Sequence, residues 1–259
     1  MPVSSNKREN FAAVIMAAGM GTRMKRPEVA KVMFELRGKP MVHYVLDTAL
    51  AVGSEKVIAV VGFQHEGVVK YLAGTHPSVE YVTQEPQLGT GHAVMQTEQA
   101  LADFSGNVLV LSGDVPLLRT ETLGELLNLH RSSEAVATVL TAEFADPAGY
   151  GRIIRNSQGL VEKIVEQKDA SAPELSVREI NSGIYVFKKE PLFEGLRHIS
   201  PHNAQNEYYL TDVFGYFWKI GRKVAAFKTP QAEEIQGINT HEQLQEAVRI
   251  LEYREKALS

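Results

Sequence analysis

Phe11 to Arg23 reads F-A-A-V-I-M-A-A-G-M-G-T-R, and this stretch sets the fold. Phe11 to Met16 is an apolar run short enough to be a buried strand. The chain then breaks into Ala17-Ala18-Gly19-Met20-Gly21-Thr22-Arg23. Small residues let a ligand come close to the backbone, and glycine allows dihedrals that other residues resist. Several N–H groups of such a loop can point at one anion, and Arg23 adds charge and a planar fork of donors. A strand that runs into this loop at the start of an α/β unit has the pattern of a nucleotide phosphate site. The plainer reading is a glycine turn with Arg23 on the surface. A Walker A loop is excluded because Gly21 is followed by Thr22-Arg23. A dinucleotide fingerprint is excluded because its third small residue falls on Met24.

Outward from this loop the chain alternates strand and helix. Pro40 is well placed to open a helix in which Met41, Val45, Leu46 and Ala49 recur at helical spacing. Strands are expected over Lys56–Gly62, Val79–Thr83, Asn107–Leu111 and Ala135–Thr141. Helices are expected over His65–Ala73, from Thr90 through about Leu101, and over Thr120–His130. The order predicts an α/β fold, a Rossmann-like doubly wound mixed sheet. After Phe144 the rhythm changes. Strands at Gly149–Arg155, Leu160–Gln167 and Glu179–Phe187 predict a small antiparallel insertion rather than a second domain. A helix near Leu210–Ile220, a strand at Val224–Phe227 and a charged helix at Thr240–Leu258 close the chain. One domain is therefore expected over residues 1–259, with a nucleotide half at about 11–143, a sugar half at about 144–239 and the final helix beyond.

Composition narrows the function. Of the 259 residues, 44% are apolar and 22% charged, as in an ordinary soluble protein. A net charge of −4 gives no general argument for nucleic acid. The absence of cysteine rules out disulfides and thiolate metal sites. No apolar run is long enough to span a bilayer, and the polar N-terminus lacks a signal-peptide core. A cytoplasmic protein with neither a membrane nor a protein partner is the expectation.

Strands that end in functional loops on one side of a parallel sheet create a crevice at their carboxyl ends. Two further loops carry suggestive residues. Gln84-Glu85-Pro86-Gln87-Leu88-Gly89-Thr90-Gly91-His92 offers an amide and glycines that can read a base edge. Ser112-Gly113-Asp114-Val115-Pro116 puts a carboxylate after a buried strand. That carboxylate suits Mg²⁺, a hard cation often shared with substrate phosphates, although a turn or cap residue looks the same.

Taken together, these motifs resemble the uridyltransferase domain of the bacterial bifunctional N-acetylglucosamine-1-phosphate uridyltransferase/glucosamine-1-phosphate acetyltransferase family. The glycine motif marks the wider sugar-phosphate nucleotidyltransferase superfamily. The resemblance continues in order through Q-L-G-T-G-H-A, G-D-V-P-L (Gly113–Leu117) and D-P-A-G-Y-G-R-I (Asp146–Ile153). It then runs through V-E-Q-K-D-A (Val165–Ala170), E-I-N-S-G-I (Glu179–Ile184), N-A-Q-N-E-Y-Y-L-T-D (Asn203–Asp212) and G-I-N-T (Gly237–Thr240). It implies that UTP and N-acetylglucosamine 1-phosphate give UDP-N-acetylglucosamine and pyrophosphate, with Mg²⁺ as cofactor.

By the same resemblance, Ala17, Ala18, Gly19 and Gly21, with Gln84, Gly89 and Thr90, hold the nucleotide. Arg23 and Lys31 neutralise the triphosphate, and Asp114 and Asn239 take Mg²⁺. Gly151, Glu166, Asn181, Tyr209 and Thr211 surround the amino sugar. Plainer roles exist for some of these: Gly151 as a turn, Tyr209 as a core aromatic, Asn181 as a strand-surface amide. His92, at a helix start, is read as structural, and no general base is expected.

The family usually has a proline before the lysine, where this chain has Ala30. The family's left-handed β-helix has no counterpart in this sequence, so acetyl transfer and the trimer of that domain are not expected. The main rivals are the same chemistry on another sugar 1-phosphate and a nucleotide-sugar regulator without turnover. An NAD-binding protein is disfavoured by the failed fingerprint.

Overall fold

The computed structural model describes residues 10–21, Met24 and residues 28–258. Strand β1 is Phe11–Ala17, and a miniature hairpin follows from β2 (Glu35–Leu36) and β3 (Lys39–Pro40). Next come α1 (Met41–Ala51), β4 (Lys56–Val61), α2 (His65–Thr75), β5 (Glu80–Thr83) and α3 (Thr90–Met95). They lead to β6 (Asn107–Ser112), α4 (Thr120–Ser133), β7 (Ala137–Glu143), β8 (Arg152–Arg155) and β9 (Val161–Val165). The order ends with α5 (Ala172–Leu175), β10 (Glu179–Lys188), α6 (Lys189–Leu196), α7 (Asp212–Lys219), β11 (Val224–Lys228) and α8 (His241–Leu258).

Nine strands form the main sheet, in the order β11-β7-β10-β6-β1-β4-β5, with β8 attached to β10 and β9 to β8. The β1, β4, β5 and β6 pairings are parallel, as is β7 with β11. β10 runs antiparallel to both of its main-sheet neighbours, β6 and β7. The mixed, doubly wound sheet expected from the sequence is present.

The register decides where the loops emerge. Met16 lies beside Ser112 on one side and Val60 on the other, and Val61 lies beside Thr83. The glycine loop, the Ser112-Gly113-Asp114 loop and the Gln84 loop therefore leave the sheet at one edge, side by side. Gly113 permits this close approach: a Cβ there would stand 2.8 Å from Met16 O, and its own N–H donates to that oxygen at 3.0 Å.

Apolar layers cover both faces of the sheet. One contains Val42, Val45 and Leu46 of α1, Val68 of α2 and Leu123 of α4. The other contains Leu192 of α6, Val213, Phe214 and Phe217 of α7 and the strand residues Tyr185 and Phe187. A smaller cluster joins Met24, Phe34, Leu36, Met41, Leu117, Ile238 and Ala247, and seats α8. Among the described residues no helix is long and apolar enough to cross a membrane.

Two sequence expectations need correction. The helix from Thr90 stops at Met95, and residues 96–103 continue as turns. The amides of Gln96, Thr97 and Glu98 reach back three residues, and the buried Thr97 hydroxyl donates to Val94 O at 2.7 Å. This local bonding competes with the α-helical ladder and tightens the chain. The antiparallel insertion is also smaller than expected. Only β8 and β9 stand apart, while β10 lies inside the main sheet between β6 and β7. Its burial on nearly every position is that of a strand covered on both faces.

Phe187 is fully buried and meets Tyr185 and Phe214 with centroids 5.6 Å apart. Phe187→Ala is expected to lower the unfolding free energy by about 3–5 kcal/mol. Urea denaturation checks this, with an earlier midpoint and an unchanged slope.

Candidate functional site

Lys31 begins a 3₁₀ turn, Lys31–Met33, just after the glycine loop. Gly21 has φ +63°, and a Cβ there would lie 2.7 Å from Lys31 Cβ. Glycine is needed at this point because the lysine stem passes against the loop. Ala30 holds φ −58° and ψ 138°, and that φ is the one a proline fixes. The φ at Ala30 is therefore one that the family's usual proline could also hold. Arg23 lies outside the described residues.

The Lys31 ammonium donates to Asp114 Oδ2 and, at 2.7 Å, to Asn239 Oδ1. Each partner is fixed by its own surroundings. Ser112 Oγ donates to Asp114 Oδ1 at 2.7 Å, and Ile238 N–H donates to Asp114 O at 2.9 Å. Asn239 precedes a reciprocal helix cap. Gln243 Oε1 accepts from Thr240 N–H and from Asn239 N–H, while Thr240 Oγ1 accepts from Gln243 N–H. This is a capping box, T-x-x-Q, which satisfies the first amides of α8 and sets the asparagine in place. Gly237 keeps the space open, since a Cβ there would stand 3.6 Å from both Asn239 Nδ2 and Asp114 Oδ2. Burial alone would raise the Asp114 carboxyl. The Lys31 charge and hydrogen bond, with help from Ser112, hold it below the usual carboxylate range.

Next to this centre is a cavity of about 240 Å³ lined by Ala18, Gly19, Gln84, Gly89, Thr90 and Glu207, among others. Its far wall is a backbone clasp. Tyr208 N–H donates to Leu88 O at 2.8 Å, Gly91 N–H to Tyr208 O at 2.7 Å, and Leu210 N–H to Thr90 Oγ1 at 3.0 Å. Gly89, with φ +105°, allows this clasp, for a Cβ would come within 2.7 Å of Tyr208 O. Gln84 is buried and held from two sides. Its Nε2 donates to Gly89 O at 2.9 Å and lies 3.1 Å from His92 Nδ1. His92 is thus an orienting group for Gln84, in keeping with the structural role read from the sequence, and burial keeps its pKa low. Ala17 is buried at the end of β1, with Gly21 beside Lys31.

The residues expected around a sugar also meet. Thr211 Oγ1 donates to Glu166 Oε1 at 3.1 Å, and a Cβ on Gly151 would stand 3.4 Å from Glu166 Oε2 and from Asn181 Cβ. Asn181 Nδ2 donates to Tyr185 Oη at 2.8 Å. Glu166, Tyr209 and Thr211 share a cavity of about 280 Å³ with Asp169 and Asp212, and Tyr209 Oη donates to Asp169 at 3.3 Å. The register of β10 shifts between Asn181 and Tyr185, and Gly183 has φ +76°. Bulges of this kind re-aim side chains next to sites. Here the bulge brings Gly183 against Ser112, within 3.6 Å of a notional Cβ, and so joins the Asn181 segment to the Asp114 loop.

Reading the sequence missed Ser112, Gly237, Asp169 and the orienting part of His92. Ser112 had a signal, since a hydroxyl two residues before a candidate ligand can cap it. Asp169 lay inside a quoted motif without a role.

Comparison with known proteins follows the same lines. A family model described as nucleotidyl transferase matches residues 12–234. Bifunctional protein GlmU of Halalkalibacterium halodurans is 46% identical over 245 residues, covering 95% of this chain and 53% of that protein. GlmU of a Geobacillus species is 49% identical over 242 residues, covering 93% and 52%. The chain thus spans about half the length of the curated relatives it matches. A solved UDP-glucose pyrophosphorylase complexed with UDP-glucose superimposes with a TM-score of 0.76 at 20% identity, covering 95% of this chain and 99% of that one. At that identity the likeness shows a shared fold.

The cavity lined by Glu166, Asp169 and Asp212 is acidic. Burial raises the Glu166 carboxyl, against the Thr211 hydrogen bond and with the charges of Asp212, Asp169 and Glu207. Asp212 is raised to about 6, first by burial and then by the Asp169 charge. A carboxyl raised on folding favours the folded state while it is protonated. That advantage is complete below its unfolded value, near 4, and is lost as pH rises through about 6. Asp212→Asn is therefore expected to raise the melting temperature above pH ~6 and to leave it nearly unchanged at pH ~4. Thermal unfolding across this range checks it, and a pH-independent offset would contradict the assignment.

Proposed function

Because this chain belongs to the nucleotidyl transferase family, we propose that it makes UDP-N-acetylglucosamine and pyrophosphate from UTP and N-acetylglucosamine 1-phosphate. The observation that carries this reading is the convergence of Lys31 on Asp114 and Asn239 beside the glycine loop. Three residues distant in sequence supply one cation and two oxygen donors at the edge where the nucleotide-type loops emerge. In sequence, the whole set of motifs resembles the N-acetylglucosamine branch.

The reaction is a single displacement. A phosphate oxygen of the sugar 1-phosphate bonds to the α-phosphorus of UTP. The bond to the bridging oxygen breaks, and its electron pair leaves with pyrophosphate. The attacking oxygen is already anionic, so no general base is required, and the protein's task is alignment and charge stabilisation. The amides of Ala17, Ala18, Gly19 and Gly21 and the Arg23 side chain take the phosphates. Gln84, fixed by Gly89 and His92, reads the uracil edge together with Gly89 and Thr90. Glu166 and Asn181 accept and donate to sugar hydroxyls and the N-acetyl group, with Gly151, Tyr209 and Thr211 shaping the wall.

Asp114 and Asn239 fit a divalent cation. Their oxygens converge on one point, Gly237 leaves the approach open, and hard oxygen donors are what Mg²⁺ takes. When bound, Mg²⁺ supplies positive charge to the phosphate oxygens. The same two oxygens now accept from Lys31, so Lys31 turns from them to the triphosphate as substrate enters. The cytoplasm is the compartment this reading requires.

The test is pyrophosphate release from UTP with Mg²⁺ across a panel of sugar 1-phosphates, with each other nucleoside triphosphate as control. Rapid release with N-acetylglucosamine 1-phosphate and UTP is expected. Release with a different sugar instead would overturn the assignment of the sugar side alone. No release with any pair would favour a nucleotide-sugar regulator. Asp114→Asn and Lys31→Ala are each expected to reduce turnover at least about a hundredfold, as for other lost electrostatic groups. Near-normal turnover in either variant refutes the role given to that residue.

A further inference from the structure

His43 and Asp47 lie four residues apart on α1, one turn of helix, and so share a face. His76 directly follows α2 as its C-cap residue. The two imidazoles converge on the carboxylate between them. His43 Nε2 lies 3.2 Å from Asp47 Oδ2, and His76 Nε2 lies 3.1 Å from Asp47 Oδ1. One donor atom from each residue falls within 4.8 Å of the other two. None of the three residues belongs to the proposed substrate site.

The surroundings are those of a built site. His43 Nδ1 is 2.9 Å from Tyr71 Oη, and His76 Nδ1 is 2.9 Å from Thr75 Oγ1. Each ring is thus held through one nitrogen while the other points inward, as in metal-binding histidines. His43 Nε2 is buried without a hydrogen-bond partner, since its contact with Asp47 is close but poorly aligned. A buried polar atom left in this way calls for an explanation. Asp47, 55% exposed, leaves one side open to water.

We propose that His43, Asp47 and His76 form a zinc-class metal site with three protein ligands and a fourth position open to solvent. Two imidazoles and a carboxylate are a borderline-soft donor set that suits Zn²⁺ rather than Mg²⁺. Bonds of zinc length put tetrahedral donors about 3.3 Å apart, a spacing each histidine already keeps to its own carboxylate oxygen, Oδ2 for His43 and Oδ1 for His76, and the three donor atoms lie within 4.8 Å of one another. The metal clamps the end of α2 to α1, and both helices pack on β4.

The test uses the whole chain, freed of metal with a chelator and titrated with Zn²⁺ against a chromogenic competitor. Co²⁺ serves as a visible-absorption probe. One Zn²⁺ per chain, bound at micromolar concentration or tighter, is expected, with intense cobalt bands that zinc abolishes and excess Mg²⁺ does not. Asp47→Ala, at an exposed position that leaves the core intact, is expected to weaken binding at least about tenfold, in the range of lost metal-site groups. His76→Ala is expected to remove the cobalt bands. Asp114→Asn, in the oxygen-lined site, is expected to change neither result. Zinc uptake that is the same in wild type and Asp47→Ala, or no uptake by wild type, overturns the proposal.

Discussion

An ammonium and a carboxylate that meet in a half-closed crevice constrain everything built around them. The Lys31 and Asp114 side chains are only 13% and 19% exposed. Removing either one strands the other's charge, an imbalance that costs about 3–5 kcal/mol when a buried pair is broken. The chain therefore commits three separate segments to this contact. Gly21 makes room for the lysine stem, Ser112 and Ile238 hold the aspartate, and a helix cap presents Asn239 as the second acceptor. Anionic substrates are the natural competitors for such a lysine, because they offer it more negative charge than one carboxylate does.

A second constraint is the separation of charge across the site. The loops on the β1 side offer glycine amides and a cation, suited to phosphates. The cavity beyond them offers Glu166, Asp169 and Asp212, suited to hydroxyl donors and poorly suited to anions. The segment from Asn203 to Asp212 contributes to both. Glu207 lines the cavity beside the glycine loop, Tyr208 clasps the Gln84 loop, and Tyr209 and Thr211 line the acidic one. A ligand with a neutral polyol at one end and phosphate at the other has a single favourable orientation in such a field.

Much of this was legible in the sequence, for physical reasons. The apolar run into A-A-G-M-G-T-R carries its own length and its own break, so β1 and its loop could be read directly. The meeting of Asp114 with Asn239 could not be derived from spacing, because 124 residues lie between them before the capping box delivers the asparagine. It was reached by resemblance alone. The position of β10 also escaped local reading. Its apolar pattern reports burial on both faces, but which neighbours bury it is a property of the whole sheet. The early end of α3 was hidden for a different reason: a buried threonine hydroxyl redirects bonding in a stretch whose apolar spacing still looks helical.

The capping box of α8 has a mechanical consequence. Its Gln243 side chain braces the amide of Asn239, and farther along, Arg254 Nη1 donates to Leu117 O, three residues past Asp114. The helix is thereby anchored at both ends to the strand edge that carries the acidic partner of Lys31. Both ends of α8 thus bear on the segments that present Asp114 and Asn239 to Lys31. A helix on the outside of the fold is in this way part of the support of a largely buried charge pair.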